Sequence, residues 1–153
     1  MTIRRLLPQH AAAYRELMLE AYAAHPEAFT SSVAERAALP LSWWETRLSD
    51  AAFPAEAVFG ASEGGILSGV AGLAFERREK TRHKATLFGM YVSRAYRGQG
   101  LGQQLVTAAL NYARARTGIR ELREIPDCIV AESRHTTLRF RLPHAAIERI
   151  VAE

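Results

Sequence analysis

The chain has 153 residues, 48% hydrophobic and 24% charged, with a formal net charge of +4. That length suits one domain over residues 1–153, and the composition excludes global disorder and fibrous repeats. No apolar run approaches the ~20 residues that cross a bilayer, so neither a transmembrane helix nor a membrane partner is expected.

The start, Met1-Thr2-Ile3-Arg4-Arg5, lacks the apolar stretch of a secretory signal, and the single Cys128 cannot close an internal disulfide. Both suit a reducing, cytoplasmic setting. Lys80 and Lys84 are the only lysines; the other cationic side chains are arginines. Arginine pairs bidentately with phosphate and carboxylate, so an anionic ligand is one reading and solvated surface arginines are the other. The basic residues are dispersed along the chain, which argues against nucleic acid as a partner.

Residues 2–7 read as a first strand. Pro8 suits the first turn of a helix over 8–24, where Ala12, Leu17 and Ala21, and Tyr14, Met18 and Ala24, recur at helical spacing. His25-Pro26 ends it, because a residue before proline is pushed out of the α region. Residues 26–39 read as a loop or broken helix, and Pro40 opens a short helix containing Trp43, Trp44 and Leu48. Strands follow at 56–61 and 66–77, joined by the turn Glu63-Gly64-Gly65, and a further strand at 85–92. The last strong element is a helix over about 101–116, apolar along Leu101, Leu105, Ala108 and Tyr112, with Gly118 as its closing signal.

The informative stretch runs from Met90 to Leu105. A strand leads into a turn with Gly98, Gly100 and Gly102 at alternate positions, and a helix starts inside that turn. A helix N-terminus presents free N–H groups and partial positive charge. Glycines let a phosphate approach those amides, and successive amides form an anion nest. A dinucleotide fingerprint needs glycine at position 103 or 105, which are Gln103 and Leu105. A P-loop needs Gly-Lys at 102 and 103, and Gln103 fails that test too. The alternative is a glycine-rich turn that merely joins strand to helix.

The run Arg97-Gly98-Gln99-Gly100-Leu101-Gly102 resembles the Gln/Arg-x-x-Gly-x-Gly/Ala motif of the GNAT superfamily of N-acetyltransferases. The flanks from Met90 to Leu105 and the order of the preceding elements are similar to that family as well. The resemblance covers roughly residues 1–120. It implies an α/β fold of the α+β type, with a mixed, mostly antiparallel central sheet and flanking helices. It also implies acetyl-CoA as cofactor and transfer of its acetyl group to a primary amine of a small molecule or peptide. By that resemblance the backbone of Met90 and Val92, either side of Tyr91, pairs with the pantetheine arm like an added strand. Amides from Arg97 through Gly98, Gln99, Gly100, Leu101 and Gly102 hold the pyrophosphate, with the Gln99 side chain beside it and Arg94 and Arg97 screening charge.

Acetyl transfer needs a polarised carbonyl, a neutral amine and a protonated leaving thiolate. The resemblance gives the first task to the Val92 N–H. The strand over 85–92 has no glutamate, so Glu76 is the nearest candidate to take the amine proton, and Tyr91 could hold a water. Glu27, Phe29, Trp43 and Trp44 are the candidates for the acceptor pocket, and no metal site is assigned.

The family's later landmarks are missing. In the best match, Val130 to Arg141, Arg141 stands where the family carries its acidic tyrosine, and His135 and Cys128 are the only titratable substitutes nearby. Residues 121–153 are therefore expected to be divergent, truncated or read in a shifted frame, with the C-terminal hairpin incomplete. Two rival readings follow: a coenzyme-binding module with weak or no transfer, and a homodimer that completes its sheet with a partner chain.

Overall fold

The computed structural model describes residues 1–26, 29, 31–75, 84–115, 121–124, 129–130 and 140–141. Glu27, Glu76, Cys128, His135 and every position after Arg141 lie outside the described residues, so the expectations that fall on them are not addressed by it.

In chain order the elements are β1 (Thr2–Arg5), α1 (Ala11–Ala24), α2 (Val33–Ala37), α3 (Leu41–Arg47), β2 (Glu56–Glu63) and β3 (Ile66–Phe75). β4 (Lys84–Val92), α4 (Leu101–Ala115), β5 (Glu121–Glu124), β6 (Ile129–Val130) and β7 (Phe140–Arg141) follow. Two local differences from the sequence expectation have clear causes. Pro8–His10 forms a 3-10 turn ahead of α1, pinned by the Leu7 N–H donating to His10 Nδ1 at 2.8 Å. The 26–39 stretch holds a true helix, α2, started by a reciprocal cap. Ser32 Oγ accepts from the Glu35 N–H at 3.1 Å, and the Ser32 N–H donates back to the Glu35 carboxylate at 3.5 Å.

The sheet is mixed. β1, β2, β3 and β4 pair antiparallel in that order, which the tight β2–β3 turn at Gly64-Gly65 permits. β5 then pairs parallel with β4, and α4 supplies the crossover that a parallel neighbour requires. β7 lies beside β5, and β6 beside the far end of β4. The architecture is α+β, with a four-strand antiparallel sheet flanked by helices.

Each face of the sheet carries its own helices. Leu101, Leu105, Val106 and Ala109 of α4 pack on Leu73, Leu87, Met90 and Val92. On the opposite face Tyr14, Leu17, Met18 and Ala21 of α1 pack with Val58, Val70, Tyr91 and Trp44. Strand alternation alone does not give this assignment to β4. Ala85 and Leu87 are odd-numbered, Met90 and Val92 even-numbered, and all four sit in the α4 cluster. The parity changes at a bulge: Gly72 opposes Phe88 and Val70 opposes Tyr91, so β4 takes three steps where β3 takes two. Gly89 fills the extra step at φ +57°, in the left-handed region. The bulge turns Tyr91 toward α1 and leaves Val92 against α4.

Gly89→Ala should therefore destabilise the fold by about 1–2 kcal/mol, the usual cost of left-handed backbone for a residue with a Cβ. The measurement is the urea midpoint, with the slope unchanged if the bulge persists.

Candidate active site

β4 ends where the glycine turn begins. The Ser93 N–H donates to Ser68 O at 2.8 Å, which makes that opposed pair hydrogen-bonded. Opposed pairs alternate in an antiparallel ladder, so the neighbouring Val92 N–H and C=O point to the other edge, away from β3. The Arg97 Nε–H reaches Val92 O at that edge, at 2.9 Å. The same edge takes β5 at Lys84–Leu87 and β6 at Met90–Tyr91. The expected pairing of a pantetheine arm with the Met90 backbone thus meets β6 in this structure, while Val92 lies one position past it.

Arg94–Tyr96 makes one 3-10 turn, and Gly98 and Gly100 both sit at φ +76°. A Cβ on either would meet nothing within 4 Å, so the space above both is open. These glycines serve conformation as well as approach: residues with a Cβ rarely take that φ. The Gly100 carbonyl accepts from the Gln104 N–H at 3.1 Å, which starts α4 and turns its first amides toward the turn. A shallow surface hollow lies there, lined by Val92, Tyr96, Arg97, Gly98, Leu101 and Gly102. The Leu101 side chain is buried in the core, so its backbone is what it offers to the hollow. Arg94 and Gln99 are exposed.

A polar network adjoins the turn on the α1 side. The Arg97 guanidinium lies 5.6 Å over the Tyr91 ring, and its Nη2 is 3.1 Å from His25 Nε2. Tyr91 is 2% exposed. Burial pushes its phenol up to about 12; a hydrogen bond to Glu20 and that residue's charge push the same way, and Arg97 opposes. The Ser93 hydroxyl donates to Glu20 Oε2 at 2.6 Å. Glu20 and Glu16 also line an open cavity of about 450 Å³ between α1, the β2–β3 turn, Ser93 and Tyr96.

A strand end, an open glycine turn and a helix N-terminus thus converge on one hollow. A model of the Acetyltransferase (GNAT) family matches residues 12–140 of the sequence. The chain belongs to that family. This GNAT acyltransferase has no significant match among curated proteins. Its fold is shared with several solved structures. One is a GNAT acetyltransferase from Streptococcus pneumoniae: 24% identity, TM-score 0.66, covering 79% of this chain and 71% of that one. Another is AAC(6')-Iy bound to the bisubstrate analogue CoA-S-monomethyl-acetylneamine, at 22% identity, TM-score 0.60 and coverage of 81% and 78%. A predicted acetyltransferase from Clostridium acetobutylicum, solved with acetyl-CoA, has 14% identity, TM-score 0.61 and coverage of 81% and 79%.

Within this GNAT chain the expected acceptor residues fall in different places. Trp44 is 1% exposed and packs edge-on against Tyr14 at 5.7 Å. Phe29 is 9% exposed and packs edge-on against Tyr22 at 5.0 Å. Both are buried in the core on the α1 side of the sheet. Trp43 is half-buried, with the Arg36 guanidinium at 4.6 Å and that of Arg47 at 4.7 Å from its ring. None of the three lines the cavity beside Glu20. The residues that do meet there, Glu20 and Ser93, carried no motif in the sequence: a glutamate one turn from Glu16 on an amphipathic helix reads as solvated surface. His25 stood in the sequence as part of the helix-ending His25-Pro26 pair, with no partner indicated for its ring.

Trp44→Ala should cost about 3–5 kcal/mol as a core truncation. Trp43→Ala should cost less, about 1–2 kcal/mol, since it loses two cation–π contacts and partial burial. Chemical denaturation of the two variants side by side checks the ordering.

Proposed function

We propose that this GNAT chain transfers an acetyl group from acetyl-CoA to a primary amine of a small molecule or peptide, in the cytoplasm and without a nucleic-acid partner. The observation that carries the reading is the meeting of the outward-facing Val92 N–H with the open Gly98–Gly100 turn at the start of α4. The turn and the first amides of α4 offer a pyrophosphate the donors and partial positive charge it needs. Arg97, tied to Val92 O and to His25, stands beside that seat with its charge fixed in place. The Val92 N–H then faces the position where a thioester carbonyl gains negative charge, and a donor already aimed there lowers the barrier. Bound acetyl-CoA supplies the activated acyl group.

The acceptor enters from the α1 side, through the cavity lined by Glu16, Glu20 and Tyr96. Two carboxylates on that wall favour a cationic molecule. That agrees with neighbours of the same fold: besides AAC(6')-Iy, an aminoglycoside acetyltransferase from an uncultured soil metagenome was solved with sisomicin. The second reading is a coenzyme-binding module with weak transfer. It draws on β6 lying along Met90–Tyr91, and on arginine at position 141.

Coenzyme A should raise the melting temperature of the protein. Acetyl-CoA mixed with spermidine, neamine or a tripeptide with a free amino terminus should release free thiol with at least one of them. Binding without thiol release favours the module, and no thermal shift at all counts against both readings. Gly100→Val should weaken coenzyme A at least about tenfold, because both the left-handed turn and the open approach are lost. Calorimetry checks it, and unchanged affinity would remove the phosphate seat from that turn.

A further inference from the structure

From the contacts that surround its carboxylate, we infer that Glu20 is the group that takes the proton the acceptor amine loses, with Ser93 and Tyr91 as positioning residues. The inference rests on the transferase reading and assigns the step that reading leaves open. Glu76, the candidate that sequence suggested, lies outside the described residues.

The placement is specific. Val92 is flanked in sequence by Tyr91 and Ser93, and the side chains of both flanking residues bond to one carboxylate, that of Glu20. Two neutral donors hold that carboxylate while leaving lone pairs free. Glu20 is exposed and lines the roomy cavity, so an amine can reach it without unfolding anything. Its carrier is the rigid helix α1, seated on the sheet by Tyr14, Leu17, Met18 and Ala21. The carboxylate therefore stands at a fixed place next to the residue whose N–H faces the reacting carbonyl.

The step balances as follows. The amine nitrogen's lone pair forms the new C–N bond, and the carbonyl π pair moves onto the oxygen facing the Val92 N–H. The nitrogen's surplus proton passes to a Glu20 carboxylate oxygen and from there to water at the exposed face. The C–S bond breaks, its pair leaves on sulfur, and the carbonyl re-forms. A thiol of pKa near ~8.5 is a good enough leaving group to depart as thiolate and take its proton from water. A phenol pushed up to about 12 is a poor donor to such a thiolate. Tyr91 is thereby kept as a neutral hydrogen-bond donor that orients Glu20, and an arginine at position 141 does not block the reaction.

The test uses the full chain, coenzyme A and the amine that responds best in the spermidine, neamine and tripeptide panel. Glu20→Gln should lower kcat at pH 7 about 100-fold with KM within about threefold. Its rate should then rise more steeply with pH than the wild type's, because hydroxide must take the surplus proton in place of the carboxylate. Coenzyme A affinity by calorimetry and the melting temperature should match the wild type. Glu20→Asp should recover part of the rate. Glu45→Gln removes one carboxylate on α3, outside the cavity, and should keep the wild-type rate and pH profile. Ser93→Ala should keep coenzyme affinity and KM while lowering kcat about fivefold, and Ser93→Thr should restore most of the rate, a split that mere loss of packing does not make. A turning-over wild type with a Glu20→Gln variant within about threefold of it, or with an unchanged pH profile, overturns the assignment alone. A wild type that binds coenzyme A and turns over no amine overturns the transferase reading, and this assignment with it.

Discussion

One extra residue in β4 organises the molecule. A strand shows its side chains to two faces by turns, and an uninterrupted β4 would hold Ala85, Leu87, Gly89 and Tyr91 on one face. The bulge at Gly89 breaks that count. Below it, odd-numbered side chains pack under α4; above it, even-numbered ones do. Tyr91 is thereby delivered to the α1 side, where Glu20 and Arg97 meet it. The last strand residues, the glycine turn and the α1 network can face one another because β4 changes parity just before it ends.

Around that strand end the structure sets two chemistries side by side. Toward α4 there are backbone amides, glycines at left-handed φ and the positive end of a helix, all suited to anionic oxygen. Toward α1 there are Glu20, Ser93 and the phenol of Tyr91, suited to holding a cation or moving a proton. Arg97 spans the divide: its Nε binds the Val92 carbonyl, its Nη2 meets His25, and its plane covers Tyr91.

Much of this was legible in the sequence, and the limits have physical causes. The order of strands and helices followed from period-two and helical patterning up to residue 115, and the Gly98–Gly102 run marked the turn because glycine is what left-handed backbone selects. The Ser32-x-x-Glu35 cap was there to be read but lay in a stretch dominated by its Pro and Ala content. The burial of the tryptophan pair was not legible for a simple reason: aromatic side chains fill cores and line pockets with equal ease, and only packing separates Trp44 from Trp43. The Glu20–Ser93 contact was invisible because its partners stand 73 residues apart in the chain, and nothing local distinguishes Glu20 from a solvated helix glutamate. The parity change at Gly89 was equally hidden, since a lone glycine in a strand pattern does not announce which way the register shifts.

The stripe of α1 that holds the fold and the stripe that faces the cavity share only Leu17 among the described residues. Tyr14, Met18 and Ala21 lock into the core, while Ala13, Glu16 and Glu20 look outward into the open space beside Ser93. Replacements at 13 and 16 can thus accumulate without loosening the sheet beneath them. Under the proposed function, the wall that meets the acceptor can therefore change along one helix face while the far side of the sheet stays as it is. New specificities in this scaffold would arise by surface mutation, with no period of instability between one acceptor and the next.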